Sequence, residues 1–177
     1  MSKFNVPITS RKDKRDSAAE KVQLKFIKEN CLSLIKERNG SIDLHSFDTK
    51  RSCHQYYMKN NGIIAERSDK GRVYNKFYDS KIFDSVVYLT INNKIYNLYF
   101  FCKWNENSGG HQDNIYKEMG NLMYGIKKHK NPNSVFIFLI DGEKWDNENF
   151  SDLDAPHNCI FCNTDTFKSK LIKYILK

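Results

Sequence analysis

The residues of this chain best suited to chemistry are Asp84, Lys103 and Glu118, and their spacing brings them toward one another. Ile82–Ile91 and Lys94–Trp104 are rich in Val, Ile, Tyr and Phe, and the Asn92-Asn93 pair between them tolerates the positive φ that a two-residue hairpin turn demands. A turn there sets Ile91 against Lys94, and hence Asp84 against Phe101 and Ile82 against Lys103. Opposed residues share a face, as do alternate residues along a strand, so Asp84 and Lys103 project from one side as diagonal neighbours. A carboxylate and an ammonium converge, and a lysine so placed is a compact, mobile cation able to stabilise developing negative charge. The plainer reading of the same two residues is a cross-strand ion pair, worth little on an exposed face. Glu118 follows on an amphipathic helix beside Ile115, Met119 and Leu122, near the inward stripe, where it can point back to the strand ends. Asp113 lies closer to the loop, where its short side chain either caps the helix or meets the site.

The elements around this hairpin follow from the same kind of reading. Residues 1–15 are polar and basic and are expected to form a mobile arm. Ser17 and Glu20 have capping-box spacing, and Ala19, Val22, Phe26, Ile27, Cys31, Leu34 and Ile35 then recur at helical intervals up to Asn39-Gly40. Residues 41–71 read as a small helical insertion in which Lys50, Arg51, His54 and Lys59 alternate with aromatics, a mixture suited to gripping a phosphate backbone or to ordinary partial burial. Asn60-Asn61-Gly62 marks a turn. Arg72–Tyr78 has the alternation of a strand and would complete a three-stranded antiparallel meander with the hairpin. A helix from about Asp113 to Lys128 leads to the continuous apolar run of Ser134–Ile140, the pattern of a strand buried on both faces and reached by a crossover. A last strand at Asn158–Cys162 and a helix capped by Thr164 close the chain.

At 177 residues the chain suits one domain with a substantial core. Lys and Arg outnumber Asp and Glu by 29 to 21, a formal charge of +8, which makes a polyanion the natural partner. No apolar run reaches the length of a membrane-spanning helix and the start is polar and basic, so a cytoplasmic location with no membrane partner is expected. Five scattered cysteines do not form a disulfide framework. Cys159 and Cys162 invite a zinc reading with His157, Cys53 or His54, but residues three apart on a strand point to opposite faces, and buried thiols are the expectation.

An acid on one strand, Phe83-Asp84, and a lysine ending the next, Phe101-Cys102-Lys103, followed by the Ser108–Asp113 loop-to-helix passage, resemble the PD-(D/E)xK nuclease superfamily and, within it, the type II restriction endonucleases. The resemblance spans roughly residues 20–140. It departs from the family at Phe101, where the second acid usually stands; some members move that acid onto the following helix, where Glu118 and Asp113 are available. It implies an α/β (α+β) fold with a restriction-endonuclease-like core, a mixed four- to five-stranded sheet flanked by helices in the order α-β-β-β-α-β.

It also implies hydrolysis of phosphodiester bonds in double-stranded DNA, with Mg²⁺ held by Asp84 and Glu118, and by Asp113 as the further acid. Lys103 would orient the attacking water, and Gln112 would contact the scissile phosphate or a metal-bound water. Gly109 and Gly110 would allow close approach of backbone to phosphate, or simply turn the chain. A two-fold duplex site implies a homodimer, and no organic cofactor is expected. The alternatives are a catalytically inactive nuclease fold that binds nucleic acid, suggested by Phe101, and a repair or junction-resolving nuclease.

Overall fold

The computed structural model describes residues 12–43, 46, 56–66, 83–104, 111–142, 145 and 150–177, and over 12–20 and 111–113 it describes the helical backbone alone. Its frame is a mixed five-stranded sheet. The hairpin forms as its turn chemistry dictates: β4 (Ser85–Ile91) and β5 (Lys94–Trp104) pair antiparallel with Ile91 opposite Lys94, around Asn92 and Asn93 at φ 52° and 61°. A short β1 (Ser41–Ile42) pairs with the other side of β4, while β6 (Ser134–Asp141) and β7 (Cys159–Cys162) extend the sheet beyond β5 in parallel. Every residue of β6 is buried, as a continuous apolar run at the centre of a covered sheet requires.

Helices cover both faces. α1 (Lys12–Glu37) and α3 (Phe167–Ile175) pack Ile27, Cys31, Leu34, Phe167 and Leu171 onto one face, against Leu89, Phe100 and Ile137. α2 (His111–Ile126) makes the crossover from β5 to β6 and packs Ile115, Met119 and Leu122 onto the other face, against Phe101, Phe138 and Ile140. Core side chains such as Phe100 and Phe138 are at most 1% exposed, and burying each contributes roughly 1.5–3 kcal/mol. α1 ends in a left-handed Asn39 (φ 49°) with Gly40 N–H bonded to Ile35 O at 2.8 Å, and a Cβ on Gly40 would stand 2.6 Å from Thr90 O, so this stop also lets the chain enter β1 tight against β4.

Several expectations change. The first helix begins at Lys12, so Ser17 and Glu20 lie inside it and form no capping box, and residues 12–15 belong to the helix; Lys and Arg are good helix formers and carry it through the basic stretch. Within the expected helical insertion, Tyr56–Met58 (β2) and Ile64–Glu66 (β3) form a hairpin around Gly62 at φ 87°, because β-branched and aromatic residues flank a turn that glycine permits. The hairpin is tied to the end of α2 by His129, whose Nδ1 lies 2.7 Å from Gly62 O and Nε2 2.8 Å from Ser134 Oγ. Thr166 rather than Thr164 stands at the start of α3, held reciprocally by Asn163, because Thr164 is engaged elsewhere. The strand expected at Arg72–Tyr78 and the residues 1–11 lie outside the described residues. With β1 preceding β4, the order through β6 is helix, three sheet strands, helix, strand, with the β2–β3 hairpin inserted. Among the described residues no helix is long and apolar enough to cross a membrane.

Candidate active site

β5 is longer than β4, and Phe101–Trp104 run on past the last paired residues, Ser85 and Phe100. Among the described strands the overhang pairs with β6, Lys103 opposite Ile140 and Trp104 opposite Asp141. On the other side the pairing is finished by Asp84. Its N–H donates to Phe100 O at 2.8 Å, and its Oδ2 accepts from Cys102 N–H at 2.7 Å, in the place of the carbonyl that a longer β4 would supply. The carboxylate is thereby fixed at the point where β5 leaves β4. Its parity is that of Val86, on the α2 face of the sheet.

Lys103 shares that face with Tyr99 and Phe101. Its ammonium stands 5.4 Å from the centre of the Phe101 ring and makes an ion pair with Glu118 Oε2 at 2.8 Å. Glu118 reaches it because Ile115, Met119 and Leu122 anchor the neighbouring stripe of α2, so the glutamate emerges at the margin between core and solvent. The Lys103 and Glu118 side chains are 22% and 36% exposed, which leaves the pair accessible to a ligand yet less screened than a surface ion pair. The site sits at the carboxyl end of β5, where parallel strands and their crossover loops form ligand crevices in open α/β sheets.

On the opposite face a second polar cluster holds the same strand end. Gln23 of α1, 1% exposed, donates through Nε2 to Lys103 O at 3.0 Å and to Asp141 Oδ2 at 2.9 Å. Asp141, 5% exposed, receives two further bonds at Oδ1, from the Thr164 N–H and hydroxyl, both at 2.9 Å. A carboxylate buried this deeply requires such partners, and here they lock the Lys103 backbone to α1 and to the start of the last helix. Gln23 and Asp141 were not singled out from sequence and Thr164 was expected only as a helix cap, although an aspartate ending a wholly apolar strand signals a buried acid in need of donors.

The other expected site residues fall as follows. Gln112 and Asp113 occupy the first turn of α2, the turn nearest Lys103 in sequence, with their side chains outside the described residues. Gly109, Gly110, Lys50, Arg51 and His54 also lie outside the described residues. Lys59 is at the tip of the β2–β3 hairpin against Gly125 of α2, roughly 10 Å along the helix from Glu118, and so belongs to a different part of the surface.

Cys159 packs on the α2 face and Cys162 on the α1 face, separated by strand alternation as expected; burial pushes the Cys159 thiol up to about 12 and raises that of Cys162 as well. Among the described residues no group of three or more His, Cys, Asp and Glu side chains is gathered to hold a metal, so Asp84 and Glu118 form at most a two-carboxylate set there. No protein-family model, curated protein or solved structure matches this chain.

Proposed function

We propose that the chain is a Mg²⁺-dependent endonuclease acting on double-stranded DNA, similar to the type II restriction enzymes, with Asp84, Lys103 and Glu118 at its centre and a homodimer as the working unit. The observation that carries this reading is the Lys103–Glu118 contact at 2.8 Å, made at the end of the strand whose edge Asp84 closes. A partly exposed cation paired with one carboxylate, with a second carboxylate at the same strand end, suits an anionic substrate and a divalent ion together, and the charge of +8 favours a polyanion.

Two carboxylates fit Mg²⁺, which commonly takes one or two from the protein and fills its shell with water and phosphate oxygens. Asp84 and Glu118 would hold it, with Asp113 as a third donor, and the bound ion would supply charge neutralisation at the phosphate and a more acidic water. The protein groups do the rest. Lys103 stabilises negative charge as it develops on the phosphate, with Glu118 holding the ammonium in orientation and Gln23 holding the backbone beneath it. Gly109, Gly110 and Gln112 follow Lys103 in sequence and are proposed to contact the phosphate, while Lys50, Arg51, His54 and Lys59 are proposed to contact the duplex.

A second reading, a nuclease fold that binds DNA without cutting it, is favoured by one feature. Phe101, at the position of the usual acid, is 1% exposed and packs on Phe138, so it offers no ligand. Incubation of the parent with supercoiled plasmid and Mg²⁺, then with EDTA, separates the two. Metal-dependent conversion to linear fragments, reduced by roughly 10²-fold or more in Lys103→Ala, supports the enzyme. Salt-sensitive binding with no cleavage supports the second reading.

A further inference from the structure

The core stripe of α2 accounts for only half of that helix. The opposite side presents Asn114, Lys117, Gly120, Asn121 and Tyr124, all exposed, at the three- and four-residue steps that line one face, and exposed Lys128 follows in the turn just past Ile126. This stripe carries two lysines and no carboxylate. Asn114 and Asn121 are the helix-surface neighbours of Glu118, one turn before and one turn after it, so whatever lies on them also lies beside the Lys103–Glu118 pair. At the far end Lys128 Nζ is held 3.9 Å over the ring of Tyr124, which is 56% exposed, so the ammonium is steadied at the surface.

Gly120 is the second, independent observation. Glycine is disfavoured in a helix interior, and the usual excuse is a close neighbour; Gly125 has one, since a Cβ there would strike Met58 and Lys59 O. A Cβ at Gly120 would meet nothing within 4 Å. Among the described residues nothing makes use of the missing side chain.

We propose that the exposed face of α2 is a docking surface for duplex DNA, with Lys117 and Lys128 on phosphates, Asn114 and Asn121 at base edges, and Gly120 at the point of closest approach. Lysines suit phosphates and asparagine amides suit base edges, adenine above all. Lys117 and Tyr124, whose ring holds the Lys128 ammonium, stand roughly 10 Å apart along the helix axis, so the two lysines are separate charges and each neutralises its own phosphate. A second copy of this chain is a poorer occupant: two-fold pairing would bring lysines together while Glu118, at the edge of the stripe, is already paired with Lys103, and one tyrosine is a small apolar core for an interface. The inference builds on the proposed function but concerns binding, so the two can fail separately.

The test is a titration of a fluorescent 20-base-pair duplex with full-length protein in Ca²⁺, over a range of salt concentrations, alongside Mg²⁺ cleavage of the same duplex. Lys117→Ala with Lys128→Ala is expected to weaken binding at least tenfold and to flatten the log Kd against log salt slope by about two. Gly120→Gln, which places a good helix former in open space, is expected to weaken binding at least tenfold with a melting temperature no lower than the parent's. Lys25→Ala, on α1 across the sheet, is expected to bind as the parent does. Parent-like affinity and slope in the α2 variants overturns the docking surface, whether or not the parent cuts. Binding lost in the α2 variants while the parent never cuts upholds the surface and sinks the nuclease reading. A parent dimer that Gly120→Gln dissociates, with DNA affinity unchanged, assigns the face to self-association and overturns the proposal.

Discussion

The ammonium of Lys103 rests 2.8 Å from Glu118 Oε2, joining the end of β5 to the second turn of the crossover helix that follows it. The pair is partly exposed and its members come from elements fixed by separate parts of the core. Its contribution to folding is therefore small, whatever it does for a ligand. Lys103→Ala and Glu118→Ala are each expected to lower stability by about 1 kcal/mol or less, with a double-mutant coupling of roughly 0.5–1 kcal/mol in urea unfolding. The same substitutions are expected to remove cleavage. A loss of several kcal/mol would make the pair a structural strut.

Asp84 has a separable structural task. Asp84→Ala leaves the Cys102 N–H, at a residue 7% exposed, without its acceptor and is expected to cost about 1–3 kcal/mol. Asp84→Asn keeps a carbonyl oxygen for that bond and is expected to stay within about 1 kcal/mol of the parent. Both are expected to lose Mg²⁺-dependent cleavage. If Asp84→Asn cuts as fast as the parent, Asp84 closes the sheet edge and nothing more.

Gln23→Leu removes two bonds at once, one to Asp141 and one to Lys103 O. It is expected to cost about 2–4 kcal/mol, because it strands part of a buried carboxylate. Asp141→Leu also strands the Thr164 donors, and Gln23→Leu with Asp141→Leu is expected to cost less than the sum of the two single variants. Chemical denaturation of the three variants decides it; an additive double variant contradicts the network.

The two glycines of α2 predict opposite signs. Gly120→Ala adds a Cβ in open space and is expected to stabilise by about 0.5–1 kcal/mol. Gly125→Ala drives a Cβ into Met58 and to 2.6 Å from Lys59 O and is expected to destabilise by about 1–3 kcal/mol. Thermal melts of the two single variants read the difference directly.

Stability is expected to fall in alkali. Burial raises Cys31 from 9.0 to about 12, Cys159 likewise, and Tyr99 from 10.0 to about 12, so the fold favours their neutral forms. A raised folded value means that stability is fully present below the unfolded value and is lost as pH rises through the folded one. The melting temperature is therefore expected to decline from about pH 9 toward pH 12, with Cys31 and Cys159 of the native protein silent to a thiol reagent at pH 8. A flat profile across that window contradicts the burial of these groups.

What the residues alone determined was local or periodic. Asn92-Asn93 and the period-two strands set the β4–β5 register, since turn geometry and alternation leave little choice of pairing. Ile115, Met119 and Leu122 turned α2 inward and carried Glu118 to its margin, and the unbroken apolar run of β6 announced a strand covered on both faces. Only the tertiary structure decided which polar groups meet. That Glu118 takes Lys103, that the Asp84 carboxylate replaces a missing strand carbonyl, and that Gln23 bonds Asp141 from 118 residues away depend on unequal strand lengths and on a crossover that stacks distant segments. Hydrogen bonds and ion pairs are short-ranged and directional, so the partner of a polar side chain is settled by where the packed core leaves it.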